Sequence, residues 1–579
     1  MVLRTFLLAV ALSGAPCLFG QVIPPERLSD WAQAGATLPT DSLPIVDAAA
    51  YGLVGDGQTP NEDLLNDLIK AHAGSGAVLL LPEGHFRFEG PLKLQDGVVL
   101  RGASSEATVL EFSGVGEEDL IQVRGTALPD TLPLAAPALR GSRRLLLESV
   151  PSWGAGTWLQ LLQEDGDRIT SSWAAFSTGQ IVRVDSIADR QVWLAQPLRQ
   201  DYELERLPRV VRLKVVKGVG LECLKIRSSN PTDGQTANLA FAYAVDCWVR
   251  GVESENCNFA HLRAERSARL LVEGCYFHRA FDYGGGGKGY GVVLQFATGD
   301  CLVQNNVFER LRHAMLLQAG ANGNVFAYNF STDPFWTGTS LPANAAGDIV
   351  LHGNYPYANL FEGNICQNIV LDDSHGPNGP LNTFFRNRTE SYGLFMSPSV
   401  PSNRQNFVGN VIAWSGSPLV PALFVLSGED HFLYGNHFQG SVTPPGTEQL
   451  PDTSLFLQAL PPFLAQAEEW LIGTPYGLNT AANPARLRYL NAISPTTCPG
   501  EVLSSLPESR RPAWRLYPNP SPNGFWVEGL PEGENALLEI FDSRGRRLER
   551  KSIRGDETDF FGKHLPAGLY WVHLLTADG

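Results

Sequence analysis

One short unit recurs through the second half of this 579-residue chain, and its spacing restricts the folds open to it. The unit is apolar-apolar-x-x-Asn-apolar: LVQNNVF, VFAYNF, LFEGNI, TFFRNR, FVGNVI and FLYGNHF, with the asparagines at Asn306, Asn329, Asn364, Asn387, Asn410 and Asn436. Successive steps are 23, 35, 23, 23 and 26 residues. A repeat of this length is one coil of a solenoid, which buries its apolar face only by stacking on its neighbours. Asparagine tolerates left-handed backbone at a tight turn, and stacked amides hydrogen-bond along a column. The 35-residue step exceeds its neighbours by 12 residues and contains DPFWTGTSLPANA. A loop thrown out of one mid-solenoid coil is where a binding site is expected. Asn329-Phe-Ser and Asn387-Arg-Thr match the glycosylation sequon, but both asparagines belong to the turn column, so that reading is rejected.

The formal net charge of −16 argues against a nucleic-acid partner, which needs basic patches. A polyanionic substrate would need a local Arg or Lys cluster, or a bound cation. Arg4, the short apolar run from Phe6 to Leu12 and the small residues after it read as a signal peptide over 1–20, with cleavage after Gly20. That run is too short to span a membrane, and no transmembrane segment follows. Cys17 lacks a lipoprotein context. The seven cysteines beyond it are an odd set with no C-x-x-C, and read as buried free thiols rather than a disulfide framework or zinc site. Residues 21–45, rich in Pro and Ala, read as a linker or cap.

From Val46 to Phe112 the chain runs through Gly55-Asp56-Gly57, a helix around Glu62–Ala73 with Leu64, Leu65, Leu68 and Ile69 on one face, then AVLLLPEG and LRG. These residues resemble the opening of the pectate-lyase-like (pectin lyase) superfamily. The resemblance implies an all-β right-handed parallel β-helix over 46–510 with an N-terminal capping helix. It is specific for fold and poor for function, because enzymes and phage tailspikes share it. Residues 126–210 break the rhythm with hairpin-like segments and read as an inserted β subdomain. From Trp514, YPNP, then DSRGRR and LPAGLY, resemble the C-terminal sorting domain of the type IX secretion system. This implies a small β-sandwich over 512–579, the secretion machinery as a partner, and a secreted or surface-attached protein; a monomer is expected. The family's usual closing strand, rich in Lys and Val, has no counterpart before Gly579.

With the Asn column as register, candidate site residues are found by counting back. Twelve residues back lie Leu294, Leu317, His352 and His375; sixteen back lie Tyr290, His313, Asp348 and Leu371. Lys288, Arg312, Asp372 and Asp373 adjoin these, and Arg386 and Arg388 follow in the next turn. A polar column on a solenoid is also what a solvated face looks like; clustering of titratable groups beside the insertion points to a site instead. Two chemistries fit. A β-eliminating lyase would use His313, His352 or His375 as base, Arg312 or Arg386 to neutralise a uronate carboxylate, and Tyr290 as proton donor. Asp348, Asp372 and Asp373 could then hold Ca²⁺. A glycoside hydrolase would pair Asp348 with Asp372 or Asp373. Polygalacturonases resemble this, but their spread of Asp and His over several coils is not met. The glycine run FDYGGGGKGYGV presents Lys288 and Tyr290, and Trp336, Tyr355 and Tyr357 could stack on sugar rings. The expectation is a carbohydrate-active protein that cleaves a polysaccharide, lyase ahead of hydrolase; the alternative is a non-catalytic carbohydrate-binding or adhesin-like surface protein.

Overall fold

The computed structural model describes residues 22–39, 43–339, 342–413, 422–451 and shorter stretches from there to 576. The signal-peptide reading falls on 1–20, outside the described residues. Residues 1–500 and 501–579 form two compact units.

The first unit is a right-handed parallel β-helix. Each coil contributes one strand to a twelve-stranded parallel sheet that runs from Ile45–Asp47 to Phe432–Tyr434, and further strands to a second, larger parallel sheet. The coil from Leu302 shows the plan: Leu302–Gln304, a turn at Asn305-Asn306, Val307–Glu309, a corner, His313–Leu317, and a second turn leading to Val325–Ala327. Leu302 pairs with Val325 in the next coil, which is the 23-residue period. Inside the coils, Phe326, Phe361, Phe384 and Phe407 stack with ring centroids 4.9–5.6 Å apart. Each such ring contributes about 1.5–3 kcal/mol by leaving water. The helix Glu62–Ala71 buries Leu65, Leu68 and Ile69 against the opening coils.

The asparagine column is a buried ladder. Each side-chain Nδ2 from Asn306 to Asn410 donates to the Oδ1 of the next member at 2.9–3.1 Å, and that Oδ1 also accepts the preceding asparagine's backbone N–H at 3.0–3.1 Å. The left-handed residue is not the asparagine itself but the one before it: Asn305, Tyr328, Gly363, Arg386, Gly409 and Gly435 all have φ of 54–65°. The asparagine therefore serves the turn through its amide rather than its backbone tolerance. Asn324, Asn359, Asn382 and Gln405 form a second ladder at the other turn, at 2.9–3.0 Å.

Two chain segments run lengthwise over these turns. Residues 22–39, which composition marks as a linker or cap, form a strap: Arg27 pairs with Asp430, Trp31 Nε1 donates to Ala358 O at 2.9 Å, and Gly35 N donates to Asp300 O at 2.8 Å. Described stretches after residue 453 return along the other column. Leu455 N donates to Glu362, Asn483 Nδ2 to Asn329 O, and Arg488 to Asn305. That return ends in a disulfide, Cys223–Cys498. The reading of all seven cysteines as free thiols is thus corrected: Cys247, Cys257, Cys275, Cys301 and Cys366 are buried and free, and two are paired.

Within 126–214, a six-stranded antiparallel sheet interrupts the coils, with its own core around Leu145, Leu159, Val182 and Val192. It is fastened to the β-helix by a buried ion pair, Arg199–Asp300, and by Asn354 Oδ1, which accepts from Thr170 N at 3.0 Å. The second unit holds two three-stranded antiparallel sheets, one of Arg515–Tyr517, Phe525–Glu528 and Phe560–Phe561, the other of Asn535–Asp542, Arg547–Arg554 and Tyr570–Thr576.

Candidate active site

The strands Tyr290–Gln295, His313–Leu317, Ile349–Leu351 and Ile365–Leu371 stack in parallel. Val292, Leu294, Met315, Leu317, Ile349, Leu351, Ile369 and Leu371 face the core, while Tyr290, Val293, Leu316 and Val350 form a separate apolar cluster on the other face. Around that cluster stands a chain of aromatic and imidazole rings. Tyr290 and His313 lie 5.0 Å apart (centroids), His313 and His352 5.7 Å, and His352 and His375 4.9 Å. The inserted subdomain extends the chain with Trp173, 5.3 Å from His375.

His352 Nδ1 lies 2.6 Å from Asp372 Oδ2. An ionised carboxylate only accepts, so the imidazole proton sits on Nδ1 and the Nε2 lone pair is left for other work. Burial pushes the Asp372 carboxyl up, but the neighbouring His352 and the Ser374 N–H outweigh it, and its net position is below the usual carboxylate range. His313 likewise donates from Nδ1, to Gly347 O at 2.9 Å. Full burial, with His352 and Arg312 nearby, lowers its pKa to about 3, so it is neutral. His375 is lowered by burial and by His352, and its Nδ1 lies 3.2 Å from Ser171 Oγ. Tyr290 is raised by burial and stays protonated. The Arg312 guanidinium lies over the Trp336 ring at 5.1 Å and the Tyr290 ring at 5.7 Å, donates to Gly284 O, and leaves its buried Nε without a partner. Trp336 comes from the loop of the long coil, whose Thr337 N donates to Tyr283 O in the glycine-run loop.

The structure therefore gathers Tyr290, Arg312, His313, Trp336, His352, Asp372 and His375. It does not gather the other candidates. Asp348 is corrected: it points into the β-helix, where it binds the Ser331 hydroxyl and accepts from Gln367 N at 3.0 Å and Asn368 N at 2.8 Å. Burial raises its pKa to about 6. Asp373 caps Val400 N at 3.0 Å. Lys288 Nζ is held by the carbonyls of Thr232 and Asp233 at 3.0 and 2.8 Å. Arg386 is buried at a turn and donates to Leu450 O at 3.1 Å; Arg388 pairs with Glu390 at 2.9 Å. Tyr355 lies under Arg168, and the buried Tyr357 donates to Gly179 O, so both hold the inserted subdomain. Asp348, Asp372 and Asp373 thus share no ligand position for Ca²⁺. Among the described residues, the grouping of three metal-type ligands within 4.8 Å is Glu253, Glu255 and His278, where Lys225 Nζ already bridges the two carboxylates at 2.7 and 2.8 Å.

Sequence reasoning missed Ser171 and Trp173, which sit in a segment with no period to place them, and the hydrogen-bonded row Glu265, Gln295 and Gln318 that leads along the sheet to His352. Gln318 donates to Gln295 at 2.6 Å, and Gln295 to Glu265 at 2.9 Å.

Residues 45–126 match the family model described as "Rhamnogalacturonase A/epimerase, pectate lyase-like". No curated protein sequence matches the chain. Among solved structures, the chain is similar to the tailspike protein gp49 from Pseudomonas phage LKA1, at 16% identity over 63% of each chain with a TM-score of 0.47. It thus spans under two thirds of that tailspike's length. It is also similar to the Pseudomonas phage phi297 tailspike gp61 (11% identity, 69% of this chain and 75% of that one, TM-score 0.48). A third is PfbA, a surface adhesin of Streptococcus pneumoniae (11% identity, 70% and 97%, TM-score 0.35). The pectate-lyase-like match thus falls on residues 45–126, the opening coils of a chain whose fold is a right-handed parallel β-helix.

Proposed function

We propose that this protein is an exported polysaccharide-cleaving enzyme that acts by β-elimination. The observation that carries this reading is the His352–Asp372 pair at 2.6 Å, set among His313, Tyr290, Arg312 and His375 on one face of the sheet. Asp372 fixes the His352 tautomer, as an orienting carboxylate does for a general base. His352 Nε2 takes the C5 proton of a uronic acid residue. The C4–O bond breaks, a C4–C5 double bond forms, and the departing oxygen takes a proton from the Tyr290 hydroxyl. Arg312, held on two aromatic faces with an unpaired Nε, binds the substrate carboxylate and favours charge development at C5.

The arrangement disfavours a hydrolase. That chemistry needs two carboxylates facing the scissile bond, whereas Asp348 is inside the coils and Asp372 is committed to His352. The type IX sorting reading of the C-terminal unit, with export to the cell surface, stands as part of this proposal. No helix among the described residues is long and apolar enough to cross a membrane. The test is incubation of the protein with uronate-containing and neutral polysaccharides, following absorbance of the new double bond and reducing ends together. Both rising supports the lyase; reducing ends alone indicate a hydrolase; binding with neither signal indicates a binding protein.

A further inference from the structure

Beside the site, turn residues of successive coils stack into a track along the β-helix axis. Tyr243 N donates to Glu265 O, Arg266 N to Phe296 O, Ala297 N to Ala319 O and Ala319 N to Gly353 O, and Asn354 N closes the series on His375 O. The Arg266 guanidinium lies 4.7 Å over the Phe296 ring and 5.9 Å over Tyr243. Trp173, 44% exposed, bridges Phe296 at 5.9 Å and His375 at 5.3 Å. Aromatic faces and one cation thus run from His375 through Trp173, Phe296 and Arg266 to Tyr243.

Arg266 differs from its neighbours. Arg263 pairs with Asp119 and Glu265, and Arg269 with Asp246. Among the described residues, no carboxylate lies within ion-pair distance of Arg266, although the chain carries a net charge of −16. A guanidinium held on rings keeps its donor edge for a planar or tetrahedral anion. Arg266 and the His352 coil are three strand spacings apart, about 14 Å at ~4.8 Å per step. That separation calls for an oligosaccharide rather than a single sugar.

We infer that the site takes an anionic polysaccharide laid along the coil axis, its rings stacked on Trp173 and Phe296 and a carboxylate or sulfate bound by Arg266. This rests on the proposed function, naming the substrate class and direction for the same site. The test measures binding of the full chain to polygalacturonate (carboxylate), carrageenan (sulfate) and laminarin (neutral), then compares Arg266→Gln, Arg266→Lys and Trp173→Ala. Expected is binding of one anionic polymer over laminarin, weakened at least tenfold by Arg266→Gln and Trp173→Ala and partly restored in Arg266→Lys, with thermal unfolding unchanged. For a polymer that is cleaved, Arg266→Gln raises KM and spares kcat. Equal binding of laminarin, binding of no anionic polymer, or an Arg266→Gln variant that binds like the parent overturns the inference. Arg266-dependent binding without any cleavage sinks the catalytic reading and leaves this one standing. Cleavage with unaltered Arg266→Gln kinetics does the reverse.

Discussion

At the scale of single residues, the site depends on which nitrogen carries a proton. His352 and His313 both spend Nδ1 on an acceptor, Asp372 in one case and Gly347 O in the other, so both present a bare Nε2. Only His352 has a carboxylate behind it to stabilise the imidazolium that forms when a proton is taken. Asp372→Asn keeps the shape and loses that charge, and the amide also permits the wrong tautomer. The expected result is a fall in kcat of about 10²–10⁴-fold, the span typical of positioned acid–base groups, with an unfolding temperature close to the parent's. Steady-state kinetics beside a thermal melt check it. Asp348→Asn should behave in the opposite way, lowering the melting temperature because the carboxylate holds Ser331 and two backbone N–H groups, while leaving the chemistry of folded molecules unchanged.

At the scale of elements, the coil stack was legible and its fine register was not. The Asn column is visible because a buried amide that serves its neighbours above and below must recur once per coil. Counting back from it stacks Tyr290 on His313 correctly. It then fails by one residue in the long coil, where Leu317 pairs with Leu351 rather than His352, and Met315 with Ile349, leaving Asp348 level with Ala314. A one-residue slip turns a side chain to the other face of a sheet, which is why Asp348 was expected in the site and lies in the core. His352 and His375 are not register partners, yet their ring centroids lie 4.9 Å apart. Trp173 arrives from a short helix of the inserted subdomain, about 200 residues before His375, and no period could have announced it. The ladder itself makes a prediction. Asn364→Ala removes the acceptor of the Asn329 N–H, one of the two acceptors of Asn329 Nδ2, one of the two donors to Asn387 Oδ1, and the side-chain donor to Phe326 O. At about 1–3 kcal/mol for a buried group left unsatisfied, denaturant unfolding should show a loss of about 1–3 kcal/mol.

At the scale of the whole molecule, two opposed sets of buried groups govern the response to acid. Burial lowers His261 and His313 to about 3, so between their unfolded value near 6.5 and pH 3 the unfolded chain binds protons that the folded chain refuses. Stability from these two is full above pH 6.5 and is lost as pH falls, by up to about 1.4 kcal/mol per pH unit for each. Burial raises Asp348 to about 6 and Glu362 to about 7, so for these the folded chain binds the proton more tightly. Their contribution is present below the unfolded carboxylate range and is lost as pH rises through 6 to 7. The two sets oppose each other between about pH 4 and 6.5. His261 lies away from the site, held by Ser254 Oγ at 2.8 Å and Arg279 O at 2.9 Å. Replacing it by Gln removes one of the groups that lose stability in acid and keeps a polar side chain in the space. The variant should be less stable than the parent at pH 8, where the histidine hydrogen bonds are lost without compensation, and the gap should narrow steadily as pH falls from 6.5 to 4. Denaturant unfolding at a series of pH values reads the gap directly; a gap that stays constant would mean that His261 is protonated in the folded protein as readily as in the unfolded one.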